Sequence, residues 1–206
     1  MTFAVQSEVG PLRQVIVHRP GLELSRLTPQ NIADLLFDDV MWAKRAKEEH
    51  DAFAEALRDR GVTVHYFSQL LGETLALPEG RAFVLDRTCT PEVLGPNLVS
   101  PVRKLFDDLE GHELAAYLVG GVLKADLRPG RLRSLRWDMM RSDDFILPPL
   151  PNHLFQRDNS CWIYGGRLDQ PDGETREAAR NLAQQGRVQI PPDVHRRAFR
   201  QVLRRR

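Results

Sequence analysis

Short apolar runs, separated by glycine, proline and charged residues, set the organisation of this chain. Residues 13–19, RQVIVHR, have the pattern of a buried strand, and residues 61–67 alternate apolar and polar side chains as a second strand does. Between them, residues 40–60 space their apolar side chains as a helix does, and Gly61 is placed to end that helix. Together these segments predict one β-α-β unit with parallel strands.

Two further stretches have helical patterns. Thr28 followed by Pro29 is a good helix start, with a hydroxyl at the cap and proline at the first helical position, and it predicts a brief helix to Leu35 or Leu36. Residues 69–141 contain several amphipathic segments separated by glycine and proline. We interpret this second stretch as an all-helical insertion, after which residues 145–147 return to a strand pattern.

A polar cluster then interrupts two apolar runs. The sequence FILPPLPN leads to Gln-Arg-Asp-Asn at 156–159, and CWIY at 161–164 follows, before Gly165 and Gly166. This order predicts a strand, a polar corner and a strand. A carboxylate at such a corner needs hydrogen bonds or a cation to offset its desolvation. Asp158 therefore fits either a structural ion pair with Arg157 or a functional site.

Composition is that of a globular protein of one large or two small domains, with 42% hydrophobic and 28% charged residues among 206. No apolar run approaches the ~18 residues that span a membrane, and the N-terminus lacks a secretion signal. Two cysteines are too few for a disulfide framework, and the six histidines form no pair at metal-ligand spacing. We expect a cytoplasmic protein without a metal or membrane partner.

The segment LPNHLFQRDNSCWIYGG, residues 150–166, resembles the LPN-x-x-F-x-RD-x-x-CWIYGG block of arginine deiminases, which convert arginine to citrulline and ammonia. SEVGPLRQVIVHRPG, RLTPQNIADLLFDD and HELAAYLVGGVLKADL resemble the same family. The resemblance extends from about Ser7 to Gly166. It implies a propeller-like closed ring of β/α modules, the pentein-like fold of ββαβ modules, with a helical insertion in this branch.

The resemblance also implies roles for individual residues. Asp158 matches the catalytic carboxylate that holds the substrate guanidinium through charge-assisted hydrogen bonds. Asn152 and Phe155 match positions that contact the amino-acid end and the apolar stem of arginine, and Leu36 in LLFDD matches another contact position. A Leu at a helix end or a Phe beside a strand is more often a packing residue, so these three assignments depend on the motif match.

The nucleophile of the family is a cysteine in a glycine-rich motif, with a His-x-Asp pair and a Glu upstream, and none of these motifs occurs in this sequence. Cys161 lies three residues after Asp158, but the neighbouring Trp162 and Ile163 predict a strand interior, where cysteine is an inert small hydrophobe. The reaction uses side chains alone, so no cofactor is expected. We expect this chain to bind L-arginine without converting it to citrulline.

Charge and pattern both change at Gly166. Residues 1–166 hold 19 Lys and Arg against 23 Asp and Glu, whereas residues 167–206 hold 10 Arg, no Lys and 5 acidic residues. Where the family continues with a run like VSINPMAKPARRQETLLSKAVYKFHP, this chain has RLDQPDGETREAARNLAQQGRVQIPP. Codons can be chosen for the run in this chain so that a neighbouring reading frame encodes the family-like run. We therefore expect a frameshift at or just after Gly166, and a truncated, inactive fragment with a disordered Arg-rich tail.

These observations predict an α/β chain in four parts. Residues 1–68 form the first propeller module, 69–141 the helical insertion, 142–166 the first strands of a second module with the substrate block, and 167–206 a tail foreign to the family. An intact relative is compatible with a homo-oligomer.

Two other functions stay open from the residues alone. One is a non-catalytic protein whose basic tail binds nucleic acid or another acidic partner. The tail lacks interleaved aromatic residues and known nucleic-acid motifs, so we expect no nucleic-acid partner. The other is a fragment of a related amidinotransferase or dimethylarginine hydrolase, against which the LLFDD stretch and the insertion argue.

Overall fold

The computed structural model describes residues 7, 9–35, 37–127, 135–159, 161–163 and 166–168. These residues form helices and three two-stranded sheets, which confirms a mixed α/β protein. The closed propeller of pentein-like modules stays a prediction. Within the described part of the chain, no helix is long and apolar enough to cross a bilayer.

The N-terminal part is the predicted β-α-β unit. Strand β1 (Gln14–Val17) pairs in parallel with β2 (Thr63–Tyr66), with Gln14 opposite Thr63. Helix α2 (Ala43–Arg58) connects the two strands. The Gly61 amide bonds to the Arg58 carbonyl at 2.8 Å with a φ of +77°, a conformation that favours glycine, so this residue ends the helix as predicted.

The helix predicted to begin at Thr28 is wrong in its position. Helix α1 (Leu22–Ser25) lies earlier in the chain, and only a short 3₁₀ helix, Ala33–Leu35, follows. The Asn31 side chain accepts a hydrogen bond from the Thr28 amide at 2.8 Å and donates one to the Arg26 carbonyl at 2.9 Å. The Thr28 carbonyl also accepts hydrogen bonds from the Asn31 and Ile32 amides, at 3.0 and 3.1 Å, so one turn begins at Thr28 but does not extend into a regular helix.

The central region is largely helical, as predicted, and its elements are α3 (Phe67–Leu75), α4 (Pro78–Thr88), α5 (Pro91–Leu94), α6 (Val99–Asp107), α7 (Gly111–Gly120) and α8 (Leu135–Met139). An all-helical insertion is nevertheless wrong, because β3 (Val122–Leu123) pairs antiparallel with β4 (Phe145–Leu147). The Val122 side chain is fully buried, so this short strand belongs to the core.

The hydrophobic core lies mainly within these helices. Phe106, Leu85 and Leu114 have no exposed surface, and Trp137, Ile146 and Leu147 join the same cluster from the elements that follow. Helix α3 packs against α7, and α1 packs against the C-terminal part of α7. Helix α1, which follows β1, therefore packs the N-terminal part of the chain against the helical region.

The segment at residues 150–166, which we call the LPN block, follows this core and begins with two short helices. A 3₁₀ helix, Pro151–Leu154, precedes α9 (Gln156–Asn159), and β5 (Cys161–Ile163) then pairs antiparallel with β6 (Gly166–Leu168). The strand at Cys161 is confirmed. The expectation of a disordered tail from residue 167 is wrong for Arg167 and Leu168, because both residues pair with β5. The rest of the predicted tail, 169–206, lies outside the described residues.

Candidate functional site

The site begins at the carboxyl edge of the parallel β1–β2 pair. His18 follows β1 directly, and Phe67 follows β2 directly as the first residue of α3. Because the strands are parallel and in register, both residues lie at the same edge of the sheet. Both side chains are buried, with 3% and 7% of their surface exposed. Carboxyl edges of parallel strands are common positions for ligand sites in α/β proteins.

Glu23 in α1 holds the His18 ring. The two side chains are joined by a 3.1 Å hydrogen bond between His18 Nε2 and Glu23 Oε1, and the Gly21 amide donates to the same oxygen at 2.6 Å. Burial alone would raise the pKa of Glu23, but the hydrogen bond and charge of His18, together with the Gly21 amide, hold it below the usual value. Glu23 is therefore ionised, and His18 Nε2 is the donor.

The LPN block meets this edge through His153. The His153 ring, in the 3₁₀ helix Pro151–Leu154, stacks on Phe67 with the ring centres 4.9 Å apart and an interplanar angle of 18°. His18 lies edge-on to Phe67 at 5.9 Å and 6.1 Å from His153. We call His18, Phe67 and His153 the ring cluster. These ring contacts hold the 3₁₀ turn Pro151–Leu154, which we call the LPN turn, against the β-α-β unit.

Asn152 brings together two segments that are distant in sequence. Its side chain is exposed, and Nδ2 lies 3.5 Å from the Leu35 carbonyl oxygen, a long hydrogen bond between residues 117 positions apart. Leu35 immediately precedes Leu36, which lies outside the described residues. The LLFDD segment and the LPN block, each predicted to contact arginine, are therefore neighbours in space.

Phe155 and Asp158 follow Asn152 in the same segment of the chain. The Phe155 amide donates to the Asn152 carbonyl at 3.0 Å, and half of the Phe155 side chain, 49%, is exposed. Asp158 lies in α9, and its side chain is outside the described part of the structure. The Gln156 side chain donates to the His153 carbonyl at 2.6 Å, which ties the start of α9 to the 3₁₀ turn.

Cys89, the cysteine whose side chain the structure describes, lacks the surroundings of a nucleophile. Cys89, at the end of α4, is 7% exposed, and burial raises the pKa of its thiol to about 11, so it stays protonated at neutral pH. Cys161 lies in β5, as the sequence pattern predicts, and its side chain is outside the description. Among the described residues, no group of three or more His, Cys, Asp or Glu side chains could hold a metal ion.

Sequence reasoning missed the ring cluster and its carboxylate. His18 and His153 were considered only for metal-ligand spacing, and Glu23 was not singled out. One signal was available, since a histidine immediately after a buried strand and a Gly-x-Glu turn three residues later place a carboxylate close to the ring. The pairing with His153 depends on a long-range contact that no local pattern reports.

Comparison with known families agrees with the motif and the geometry. The family model described as Arginine deiminase matches residues 33–177, which is more than two thirds of the chain. The match begins after Ser7, where the resemblance was expected to start, and it ends beyond Gly166. It includes the LLFDD segment, the helical region and the LPN block. The chain therefore belongs to the arginine deiminase family.

Proposed function

We propose that this chain carries part of the substrate-binding side of an arginine deiminase, with L-arginine as its ligand. The Asp158 carboxylate holds the guanidinium by paired charge-assisted hydrogen bonds. Asn152 binds the amino-acid end, Phe155 contacts the apolar stem, and Leu36 supplies a further contact. The observation that carries the proposal is the 3.5 Å contact between Asn152 and the Leu35 carbonyl, which joins the two segments to which these residues belong.

The reaction of the family explains why these groups are needed. A cysteine thiolate attacks the central guanidinium carbon, the carbon–nitrogen bond breaks, and ammonia leaves with a proton supplied by a histidine. Water then attacks the carbon–sulfur intermediate, which releases citrulline and restores the thiol. No cofactor is required, because every group in this sequence of steps is a side chain or water. Asp158 acts by orienting the guanidinium carbon toward the sulfur.

We further propose that this 206-residue chain does not complete the reaction. The Cys89 thiol is buried with a pKa of about 11, and Cys161 belongs to a strand of the LPN block. The proposal keeps the expected organisation of 1–68, 69–141, 142–166 and 167–206, with a frameshift after Gly166. Sequencing the gene across the Gly166 codon tests it: a single-base change that restores the family-like run supports the frameshift, and an unaltered frame without such a run contradicts it.

The test of function is arginine binding by the purified chain, measured by saturation-transfer NMR. Asp158→Asn keeps the shape of the side chain and removes its charge, so we expect arginine affinity to fall about 10- to 100-fold, the effect of about 1.5–3 kcal/mol for a charge-assisted hydrogen bond. Asp143→Asn is the matched control, because Asp143 is an exposed carboxylate paired with Arg141. A colorimetric assay of the same sample should detect no citrulline.

Three results would contradict this proposal. Equal loss of affinity in Asp143→Asn and Asp158→Asn would show a general charge effect instead of a specific site. Robust citrulline formation by the purified chain would show that one of its own cysteines is the nucleophile. Absence of arginine binding by the unaltered chain would reject the substrate-binding role itself.

A further inference from the structure

A buried histidine–glutamate pair lies behind the LPN turn, and neither of its residues is among the positions assigned to arginine. His18 and Glu23 each expose 3% of their surface, and their side chains are 3.1 Å apart. Moving two ionisable groups out of water is costly, and an apolar pair of the same volume is often as stable or more stable. A pair of this kind is better explained by the orientation it imposes on its neighbours than by stability.

The turn before α1 is shaped to accommodate this pair. The Gly21 amide donates to Glu23 Oε1 at 2.6 Å, so the carboxylate has two donors on one oxygen. A β-carbon at position 21 would lie 2.7 Å from Glu23 Oε2, and glycine leaves room for this close approach. With its Nε2 proton directed to Glu23, the His18 ring has one defined orientation at the carboxyl edge of β1.

His18 approaches the LPN block through ring contacts. Its edge meets Phe67 at 5.9 Å with an interplanar angle of 69°, and its centre lies 6.1 Å from the centre of His153. His153 is itself stacked on Phe67. Ring contacts of this geometry are directional, so a change in the His18 ring alters the packing that holds His153.

His153 is connected by backbone to both substrate-contact candidates. It directly follows Asn152, its amide donates to the Leu150 carbonyl at 3.1 Å, and its carbonyl accepts from Gln156. The same turn contains the 3.0 Å bond from the Phe155 amide to the Asn152 carbonyl. A displacement of His153, as is needed if its ring packs differently, therefore moves the peptide groups that carry Asn152 and Phe155.

We infer that His18, held by Glu23, is a positioning residue that fixes the LPN turn through Phe67 and His153. By fixing this turn, His18 sets how tightly the chain binds arginine through Asn152 and Phe155. The affinity part of this inference depends on the proposed function, whereas the positioning part does not. Both parts are accessible to one set of variants of the full chain.

The experiment follows the Asn152 side-chain amide in ¹H–¹⁵N NMR spectra of the full chain, with the signal assigned by its loss in Asn152→Asp. In His18→Gln, which removes the ring and keeps a hydrogen-bond donor, we expect this signal to shift and arginine affinity to fall about 5-fold or more. Arg19→Gln is the control, because Arg19 is the next residue but belongs to an exposed pair with Asp51. It should leave both readouts unchanged.

Two further variants separate positioning from folding. His153→Phe keeps a ring to stack on Phe67 and should preserve the Asn152 signal, whereas His153→Ala should shift it as His18→Gln does. If His18→Gln does not fold, as judged by circular dichroism, Glu23→Gln is used in its place, since it keeps an oxygen for the His18 donor. Its expected effect is a smaller shift of the same signal.

The inference is overturned if a folded His18→Gln chain, or Glu23→Gln in its place, leaves the Asn152 signal where it is in the unaltered chain. It is also overturned if His153→Ala and His153→Phe behave alike. An unaltered chain that binds no arginine rejects the proposed function and the affinity part. The Asn152 signal still tests the positioning part in that case.

Discussion

At the scale of single residues, Glu23 shows how neighbours decide the charge of a buried carboxylate. Water is almost absent around it, yet the donors from His18 and Gly21 keep the pKa of Glu23 below its ordinary value of 4.5. The sign of the linkage follows from this direction. A carboxyl group with a lowered pKa in the folded state contributes stability above its unfolded-state pKa, and this contribution is lost as the pH falls through the folded-state pKa.

We therefore expect Glu23→Gln to change the pH dependence of stability in acid. The difference in free energy of unfolding between the unaltered chain and Glu23→Gln should be largest above the unfolded-state pKa of glutamate, about 4.3, and should shrink as the pH falls through the lower folded-state pKa, where the native carboxylate becomes protonated. Urea unfolding at a series of pH values measures it. Glu48→Gln, at an exposed position on α2, should give a difference that does not vary in this way. A pH-independent difference for Glu23→Gln would contradict the assignment.

At the scale of elements, the crossing of α3 and α7 is set by glycine. A β-carbon on Gly111 would lie 2.5 Å from the carbonyl oxygen of Gly72 in α3 and 2.9 Å from the amide nitrogen of Ala76, the residue that caps the C-terminus of α3. The N-terminus of α7 is fixed in this position by a capping box, in which the Glu110 amide donates to the Glu113 side chain at 3.1 Å. The helices can approach this closely only because no side chain separates them.

Gly111→Ala should accordingly destabilise the fold by about 2 kcal/mol, because the added methyl group forces two backbones apart in a packed core. The measurement is the midpoint of urea unfolding at constant m-value. Gly10→Ala offers a matched control, since a β-carbon there would meet its nearest neighbour at an ordinary 3.8 Å. Equal midpoints for the two variants would mean that α7 can shift without cost.

At the scale of the whole molecule, Arg26 joins the β-α-β unit to the end of the helical region. Its guanidinium donates to the carbonyls of Gly120 and Gly121 at 2.9 and 2.5 Å and to the Asp126 carboxylate at 2.9 Å, and it also lies over the Tyr117 ring. The arginine and aspartate side chains are only 11% and 18% exposed. One side chain thus satisfies several acceptors that water reaches poorly.

Arg26→Ala should lower the free energy of unfolding by about 3 kcal/mol, since it leaves a largely buried carboxylate and two carbonyls without their donor. Arg19→Ala removes an exposed ion pair with Asp51 and should cost less than about 1 kcal/mol. Both values come from urea unfolding of the full chain. A cost for Arg26→Ala as small as that for Arg19→Ala would show that this connection does not hold the two parts together.

The extent to which sequence predicted this molecule depends on the range of the forces involved. The β1–α2–β2 order followed from apolar periodicity, which is local, and so did the end of α2 at Gly61. At Thr28 only a single turn and the 3₁₀ helix Ala33–Leu35 form, although the sequence there has the start signal of a longer helix. Strand β3 escaped notice because two residues are too few for a pattern.

The candidate site divides in the same way. Asn152, Phe155 and Asp158 were recognisable because they lie together in one motif, and the family match confirms the family to which that motif belongs. Their support by His18 and Glu23 was not recognisable, since burial of a histidine depends on contacts that form only when β1, α3 and the LPN turn meet. Leu36 lies outside the described residues, so its role stays a proposal.

The contact between Asn152 and Leu35 has a kinetic consequence. A contact across 117 residues closes late, because the loop between its ends must first lose its conformational freedom. On the ribosome, the LLFDD segment waits for the α3–α7 helices and then the LPN turn to emerge before the two can meet. Any substitution that slows folding of those helices therefore delays assembly of the proposed arginine site, even though it touches none of the residues proposed to contact arginine.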